Sequence, residues 1–356
     1  MQIWTTGVAS PRGIMRVAPQ LEDAGWDGLV VVDSQNLSGD PYVSLAMAAT
    51  VTKRIGLGTG VTNSVTRAAA VTAASIESVQ RVSGGRAVLG IGRGDSALAH
   101  LGRAPARVAQ FETYIKHLQA YLSGRPVPFG EIDYPDDVAP PIAELGLAGE
   151  PEASHISWIT GERKVPVEVA ASGPRVIAVG ARHADRLMFT LGADPERIAW
   201  GIAQARAARK TAGLDPDSIT FGAYVNCAPH PDITIARDMA RGGVTTFARF
   251  SVMQGAAAAG PVSQETDSVM QTMRDSYDMR AHTRADSDQA NVLTSAFIDQ
   301  FAIVGDPDDC VRRLRDLAAL GLDKIIISGG RRGANQEDAA TVQTLLEKEV
   351  LPNIPR

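Results

Sequence analysis

Short apolar runs alternate along the chain with longer stretches in which apolar residues recur every three or four positions. The first kind suits a strand buried on both faces, the second an amphipathic helix packed over it. Residues 3–8 form the first run. Residues 14–24 follow with helical spacing (Met15, Val17, Ala18, Leu21) and stop at Gly25. Runs at 27–32, 54–60 and 86–92 read as strands, and 42–50, 68–82 and 108–122 as helices. Asp40-Pro41 is a helix start signal, and Ser83-Gly84-Gly85 a helix stop. The rhythm resumes with strands at 165–171, 186–191, 219–227 and 323–328, and helices at 174–183, 195–212 and 336–349.

Eight strands joined by helices predict an α/β fold: a single (β/α)₈ TIM-type barrel over residues 1–356, in preference to an open doubly wound sheet. Insertion segments are expected after the fourth and seventh strands. Residues 123–164 are rich in Pro, Gly and acids, and lie between the fourth helix and the fifth strand. Residues 234–301 read as mostly helical. Structureless loops of that length are uncommon, so both are expected to be lids or helical insertions.

Composition narrows the function classes. Lys and Arg number 35 against 40 Asp and Glu, for a net charge of −5. A mildly acidic chain with no basic run argues against a nucleic-acid partner. No apolar stretch reaches the roughly 18 residues of a membrane span. The start, Gln2-Ile3-Trp4, reads as a strand and lacks the pattern of a secretory signal. Cys227 and Cys310 show no metal spacing, and the six histidines are scattered. No metal is expected, and a reducing, cytoplasmic setting is.

In a barrel of this type chemistry sits at the C-terminal ends of the strands. Those ends carry Asp33, Ser34, Gln35 and Asn36; Gly60, Val61, Thr62, Asn63, Ser64 and Arg67; Gly92, Arg93, Gly94 and Asp95; and Ser328, Gly329, Gly330, Arg331 and Arg332. No Ser-centred nucleophile elbow is present, and Cys227 has no neighbouring histidine. Small polar residues and glycines bring backbone N–H groups close to a ligand, which suits a cofactor that supplies its own chemistry. Ala171-Ser172-Gly173-Pro174 is the clearest element. A strand ends there and Pro opens a helix, whose free N–H groups favour a phosphate. The same pattern also serves as an ordinary helix cap. Asp33 ends a buried strand and is the candidate for proton handling, or else a cap or an orienting group.

Residues 60–67 (Gly-Val-Thr-Asn-Ser-Val-Thr-Arg) and 83–95, from Ser83-Gly84-Gly85-Arg86 to Gly92-Arg93-Gly94-Asp95, resemble the bacterial-luciferase-like oxidoreductases. Within them the chain looks closest to the methylenetetrahydromethanopterin reductase branch, which uses coenzyme F420. Residues 22–27 (Glu-Asp-Ala-Gly-Trp-Asp), with Val32-Asp33 after them, match the family's first helix and second strand. Val304-Gly305-Asp306-Pro307 resembles its marker before the last barrel helix. The resemblance implies a cofactor ring in the barrel mouth and a non-prolyl cis peptide at Gly60-Val61 that backs it. It also implies that Asp33, Ser34, Thr62 and Asn63 line the ring, and that Gly92, Gly94, Asp95, Ser172 and Gly173 lie near its tail or phosphate. Arg67, Arg93, Arg331 and Arg332 would suit the acidic tail of F420. Relatives tend to carry an acid on the first strand and a histidine after the strand-two Asp. Here those places hold Trp4-Thr5-Thr6 and Ser34. Trp4 is then a candidate substrate surface, as is Trp158, with His155, in the insertion. The implied activity is F420-dependent hydride transfer to or from a small carbonyl, imine or activated alkene. The alternatives are an FMN-dependent monooxygenase and a non-catalytic cofactor-binding protein. Relatives also imply a homodimer.

Overall fold

The computed structural model describes residues 1–255, 257–328 and 332–355. Seven strands come first, with helices between them: β1 (Gln2–Gly7), α1 (Pro11–Asp23), β2 (Gly28–Val31), α2 (Pro41–Val51), β3 (Gly56–Asn63), α3 (Ala69–Ser83), β4 (Ala87–Gly92), α4 (Ser96–Ala99), α5 (Val108–Leu122), β5 (Val167–Ala171), α6 (Pro174–His183), β6 (Arg186–Phe189), α7 (Pro195–Thr211) and β7 (Thr220–Val225). There follow β8 (Cys227–Pro229), α8 (Ile233–Ser251), α9 (Gln264–Asp275), α10 (Asp288–Asn291), α11 (Ser295–Phe301), β9 (Ile303–Gly305), α12 (Pro307–Ala319), β10 (Lys324–Ile327) and α13 (Gln336–Leu345). The strands β1–β7 and β10 close into one barrel, each pair of neighbours parallel.

The continuous apolar runs form these strands because the barrel interior covers one face and the helices the other. Leu29, Val31, Leu57, Leu89, Val167, Val169, Leu187, Phe189, Ala223, Val225 and Ile325 are all sealed from solvent. Four helices open on Pro behind a residue whose side chain accepts a backbone N–H of the first turn: α1 on Ser10, α2 on Asp40, α7 on Asp194 and α12 on Asp306. These caps satisfy donors that a helix start otherwise leaves open.

Three expectations are corrected. The run at 219–227 is two strands, broken at Asn226: β7 stays in the barrel, while β8 pairs in parallel with β9. This small sheet clasps the start and return of the helical excursion, where the chain after α11 had been given no strand. Helix α12, opened by Val304-Gly305-Asp306-Pro307, is the next-to-last barrel helix and not the last, since β10 and α13 follow it. Finally, the insertion at 123–164 cannot be a lid over the mouth. It joins the C-terminal end of α5 to the start of β5, and in a parallel barrel every such helix-to-strand connection lies at the N-terminal end of the strands.

A candidate cofactor and substrate site at the barrel mouth

β3 is bulged just before its end. Its register against β4 shifts between Thr59 and Thr62, and the Gly60–Val61 peptide is cis. Glycine is required at 60 because a Cβ there would strike the Val30 side chain. Thr62 and Asn63 beyond the bulge are buried. The Thr62 hydroxyl donates to Asp33 Oδ2 at 2.6 Å, and Arg67 Nη1 donates to the same oxygen at 2.6 Å. Arg67 also holds Asp40, 2.7 Å away, and lies over the Tyr42 ring. Asp33 is thus an anchor between β2 and the β3 loop, and Arg67 is not free for a ligand tail. The Asn63 side chain is spent on its own loop, accepting from the Val65 and Thr66 N–H groups. Ser34 is buried, its hydroxyl 3.2 Å from that of Ser96.

Around the rim, Gly92 and Gly94 form the exit from β4. Gly94 has φ +89°, a conformation that favours glycine. Arg93 Nε donates to the Ala106 carbonyl at 2.6 Å. Burial and the neighbouring Arg175 hold the Arg93 guanidinium below its ordinary value. Arg175 is in the first turn of α6, and that turn differs from the other Pro-opened helices. Its N-cap is Gly173, which offers no side chain, and a Cβ there would meet open space. Ala171 is buried at the end of β5, and the Ser172 hydroxyl is turned away, donating to the Phe250 carbonyl at 3.0 Å. An open helix N-terminus with Arg175 in its first turn and the partly buried Arg93 near it is a place for an anion. Sequence reasoning missed Arg175, because an arginine inside a helix carries no local signal.

Asp95, the last of the rim residues, forms an ion pair with Arg249 of α8. The pair ties the β4 connection to the helical excursion. Buried polar atoms without a hydrogen-bond partner among the described residues also occur on this side: Ser64 Oγ, His100 Nε2 and Asn226 Oδ1. Such atoms are costly unless a ligand or water meets them. Arg332 lies beyond β10, and Gly329, Gly330 and Arg331 are outside the described residues.

Neither candidate substrate tryptophan is in the mouth. Trp4 sits at the opposite end of the barrel, beside the first residues of three strands. A Cβ on Gly56 would stand 2.5 Å from its ring, and one on Gly28 would enter it. Lys324 Nζ lies 3.3 Å from the ring centroid. Trp158 belongs to the insertion at the same end, where its ring covers Arg81 near the close of α3. His155 bonds the Gly124 carbonyl there. Topology places both, since residues early on a strand or in a helix-to-strand connection face away from the mouth.

The model of the luciferase-like monooxygenase family matches residues 2–324. The chain belongs to that family. It is 26% identical to the 5,10-methylenetetrahydromethanopterin reductase of Methanolobus tindarius, over 95% of both chains. Among solved structures it resembles the coenzyme F420 dependent tetrahydromethanopterin reductase from Methanopyrus kandleri, with a TM-score of 0.71 at 21% identity over 99% of each chain. It also resembles an F420-dependent secondary alcohol dehydrogenase in complex with an F420-acetone adduct, with a TM-score of 0.70 at 14% identity, over 100% of this chain and 99% of that one. In this luciferase-like chain no group of three or more His, Cys, Asp or Glu is placed to hold a metal among the described residues. No helix there is long and apolar enough to cross a membrane.

Proposed function

We propose that this chain is an F420-dependent oxidoreductase that moves a hydride between the deazaflavin and a small organic substrate. The observation that carries the reading is the uncapped start of α6 between Arg93 and Arg175, on the same rim as the Gly60–Val61 bulge. The first suits the cofactor's phosphate, and the second a flat ring held over the strand ends. The relatives named for F420 add support. Bound F420 supplies the carbon that carries the hydride. The protein's residues orient and enclose: Asp33 fixes Thr62 and Arg67, Gly60 and Val61 form the backing, and Ser34 and Asn63 shape the wall. Gly92, Gly94, Ala171, Ser172, Gly173 and Pro174 build the phosphate corner. Binding and enclosure of this kind place the substrate carbon.

The pterin substrate of the reductases is not part of the proposal. β1 brings Thr5, Thr6 and Gly7 toward the mouth, with no carboxylate. Two free buried thiols, Cys227 and Cys310, suit the reducing cytoplasmic setting expected from the sequence. We also propose a homodimer. Val43 on α2 and Val71 and Val82 on α3 are each more than half exposed, which provides apolar surface for a second copy. Sedimentation tests that part.

Fluorescence titration with oxidised F420, and separately with FMN, tests the main reading. Tight F420 and weak FMN binding is the expected result. The reverse would direct attention to an FMN-dependent monooxygenase and oxygen-consumption assays. Binding of neither would remove the phosphate-corner assignment. F420 bound without turnover of any carbonyl, imine or alkene would leave a non-catalytic binding protein.

A further inference from the structure

The excursion between β8 and β9 carries a polar pair that the site above does not use. The Tyr277 hydroxyl lies 2.7 Å from His282 Nδ1. The guanidinium of Arg249, already paired with Asp95, lies 4.6 Å from the Tyr277 ring centroid. His282 therefore ends a chain of contacts, Asp95–Arg249–Tyr277–His282, that starts at the end of β4. The charged and titratable groups acting on it come from three places: Asp95 and His100 after β4, Arg249 on α8 and Arg332 beyond β10.

The geometry points to His282 as a substrate-contacting donor, whose Nε2–H meets the oxygen or nitrogen of a carbonyl or imine at the carbon that exchanges hydride. This rests on the oxidoreductase reading and narrows its substrate class. An alkene without such an acceptor would not use the donor.

Four observations support it. First, orientation: the Tyr277 hydroxyl, which keeps its proton, lies 2.7 Å from Nδ1, and we assign it as the donor of that bond. The imidazole proton is then on Nε2, pointing away from Tyr277. Second, charge: burial pushes the imidazolium down to about 4, against the opposing field of Asp95. At neutral pH the ring is a neutral donor that keeps its proton, and the proton that completes an alcohol or amine comes from water. Third, backbone: Thr283, directly after His282, has φ 65°, which a β-branched residue rarely adopts. Such positions concentrate at functional sites. The turn is pressed onto α8 at Gly242, where a Cβ would collide with the Thr283 carbonyl. Fourth, His100 Nε2 is buried in the same corner without a partner among the described residues, a second polar group for the same ligand.

The test uses full-length protein labelled with ¹⁵N in its imidazoles, with His282→Gln identifying the signal. The expected spectrum has the His282 proton on Nε2, and Tyr277→Phe loses that preference. With F420 bound, cyclohexanone or 1-pyrroline is expected to shift the Nε2 signal. His282→Phe is expected to lower kcat/KM for the responsive probe about 10²-fold, as loss of a donor at developing charge does. His282→Gln, which keeps an N–H, is expected to recover about tenfold of that, with the Kd for F420 within about twofold of wild type. A proton on Nδ1, an Nε2 signal indifferent to both probes, or undiminished turnover in His282→Phe overturns the proposal. F420 binding with an unresponsive His282 sinks this proposal alone. If wild-type protein fails to bind F420, the oxidoreductase reading falls and takes this one with it.

Discussion

The two ends of the barrel solve the same packing problem in opposite ways. At the N-terminal end, Lys324, Glu168 and Arg186 project from the starts of β10, β5 and β6. Lys324 and Glu168 have side chains at most 1% exposed. Lys324 Nζ lies 2.9 and 3.1 Å from the two Glu168 oxygens, and Arg186 Nη1 lies 2.6 Å from one of them. Trp4 closes the layer, filling the space that Gly28 and Gly56 leave. At the mouth, by contrast, the starts of α3, α4, α5 and the Pro-opened α6 carry no side-chain cap, Arg175 adds its charge near Arg93, and hydroxyl, amide and imidazole atoms are buried without hydrogen-bond partners among the described residues. The closed end pairs its ions within the chain, though Arg186 Nε is left without a hydrogen-bond partner among the described residues; the mouth also pairs Asp33 with Arg67 and Asp95 with Arg249, but keeps several unpartnered polar atoms beside bare helix starts. A buried ion is tolerated only when paired, so the closed end reads as structure and the open end as a binding site.

The sharpest way to break this contrast is to unpair the closed end. Glu168→Gln leaves Lys324 and Arg186 buried without their carboxylate. We expect a loss of about 3–5 kcal/mol in urea unfolding, the usual cost of removing one partner of a buried pair. The double variant with Lys324→Met should regain much of it. F420 affinity of the folded fraction should not change. A large loss of affinity with normal stability would mean the two ends are not separate.

The complementary change fills the open end. Gly173→Asp gives α6 the cap that the other Pro-opened helices have, so the helix should gain up to about 1 kcal/mol. The added carboxylate occupies the anion corner, and F420 affinity should fall roughly 10- to 100-fold. Unchanged affinity by fluorescence titration would place the phosphate elsewhere. Gly56→Ala probes the closed end more gently. Its methyl would stand 2.5 Å from the Trp4 ring, and overpacking of this kind costs about 1–3 kcal/mol. A thermal shift near zero would mean that the Trp4 layer is loose.

The contrast also separates what was legible in the chain from what was not. Continuous apolar runs and period-3.6 patterning report local burial, so the eight barrel strands and most of their helices could be read directly. The residues at the strand ends could be read too, because position on a strand fixes which end of the barrel a residue serves. The same rule was available for Trp4 and for the insertion at 123–164, and applying it would have placed both at the closed end. What could not be read is which side chains meet across long separations. Lys324 and Glu168 lie 156 positions apart, Asp95 and Arg249 lie 154 apart, and neither pair leaves a local trace. β8 and β9 escaped for a related reason, since each has only three residues and their pairing depends on a return of the chain.

The smallest expected effect tests whether the mouth is as dry around His282 as the closed end is around Lys324. An imidazole whose folded pKa is near 4 and whose unfolded pKa is near 6.5 takes up its proton only in the unfolded chain across that interval. The unfolded state then binds more protons, so stability must fall as pH falls from 6.5 toward 4, and it is fully present above 6.5. Between pH 8 and pH 6 the loss should be about 0.8 kcal/mol, below the overpacking cost of Gly56→Ala. His282→Gln has no proton to take up and should flatten this part of the curve. Urea midpoints of the two proteins at pH 8, 7 and 6 measure the difference. Parallel curves would mean that water reaches the ring, and the open end would then be open to solvent as well as to ligand.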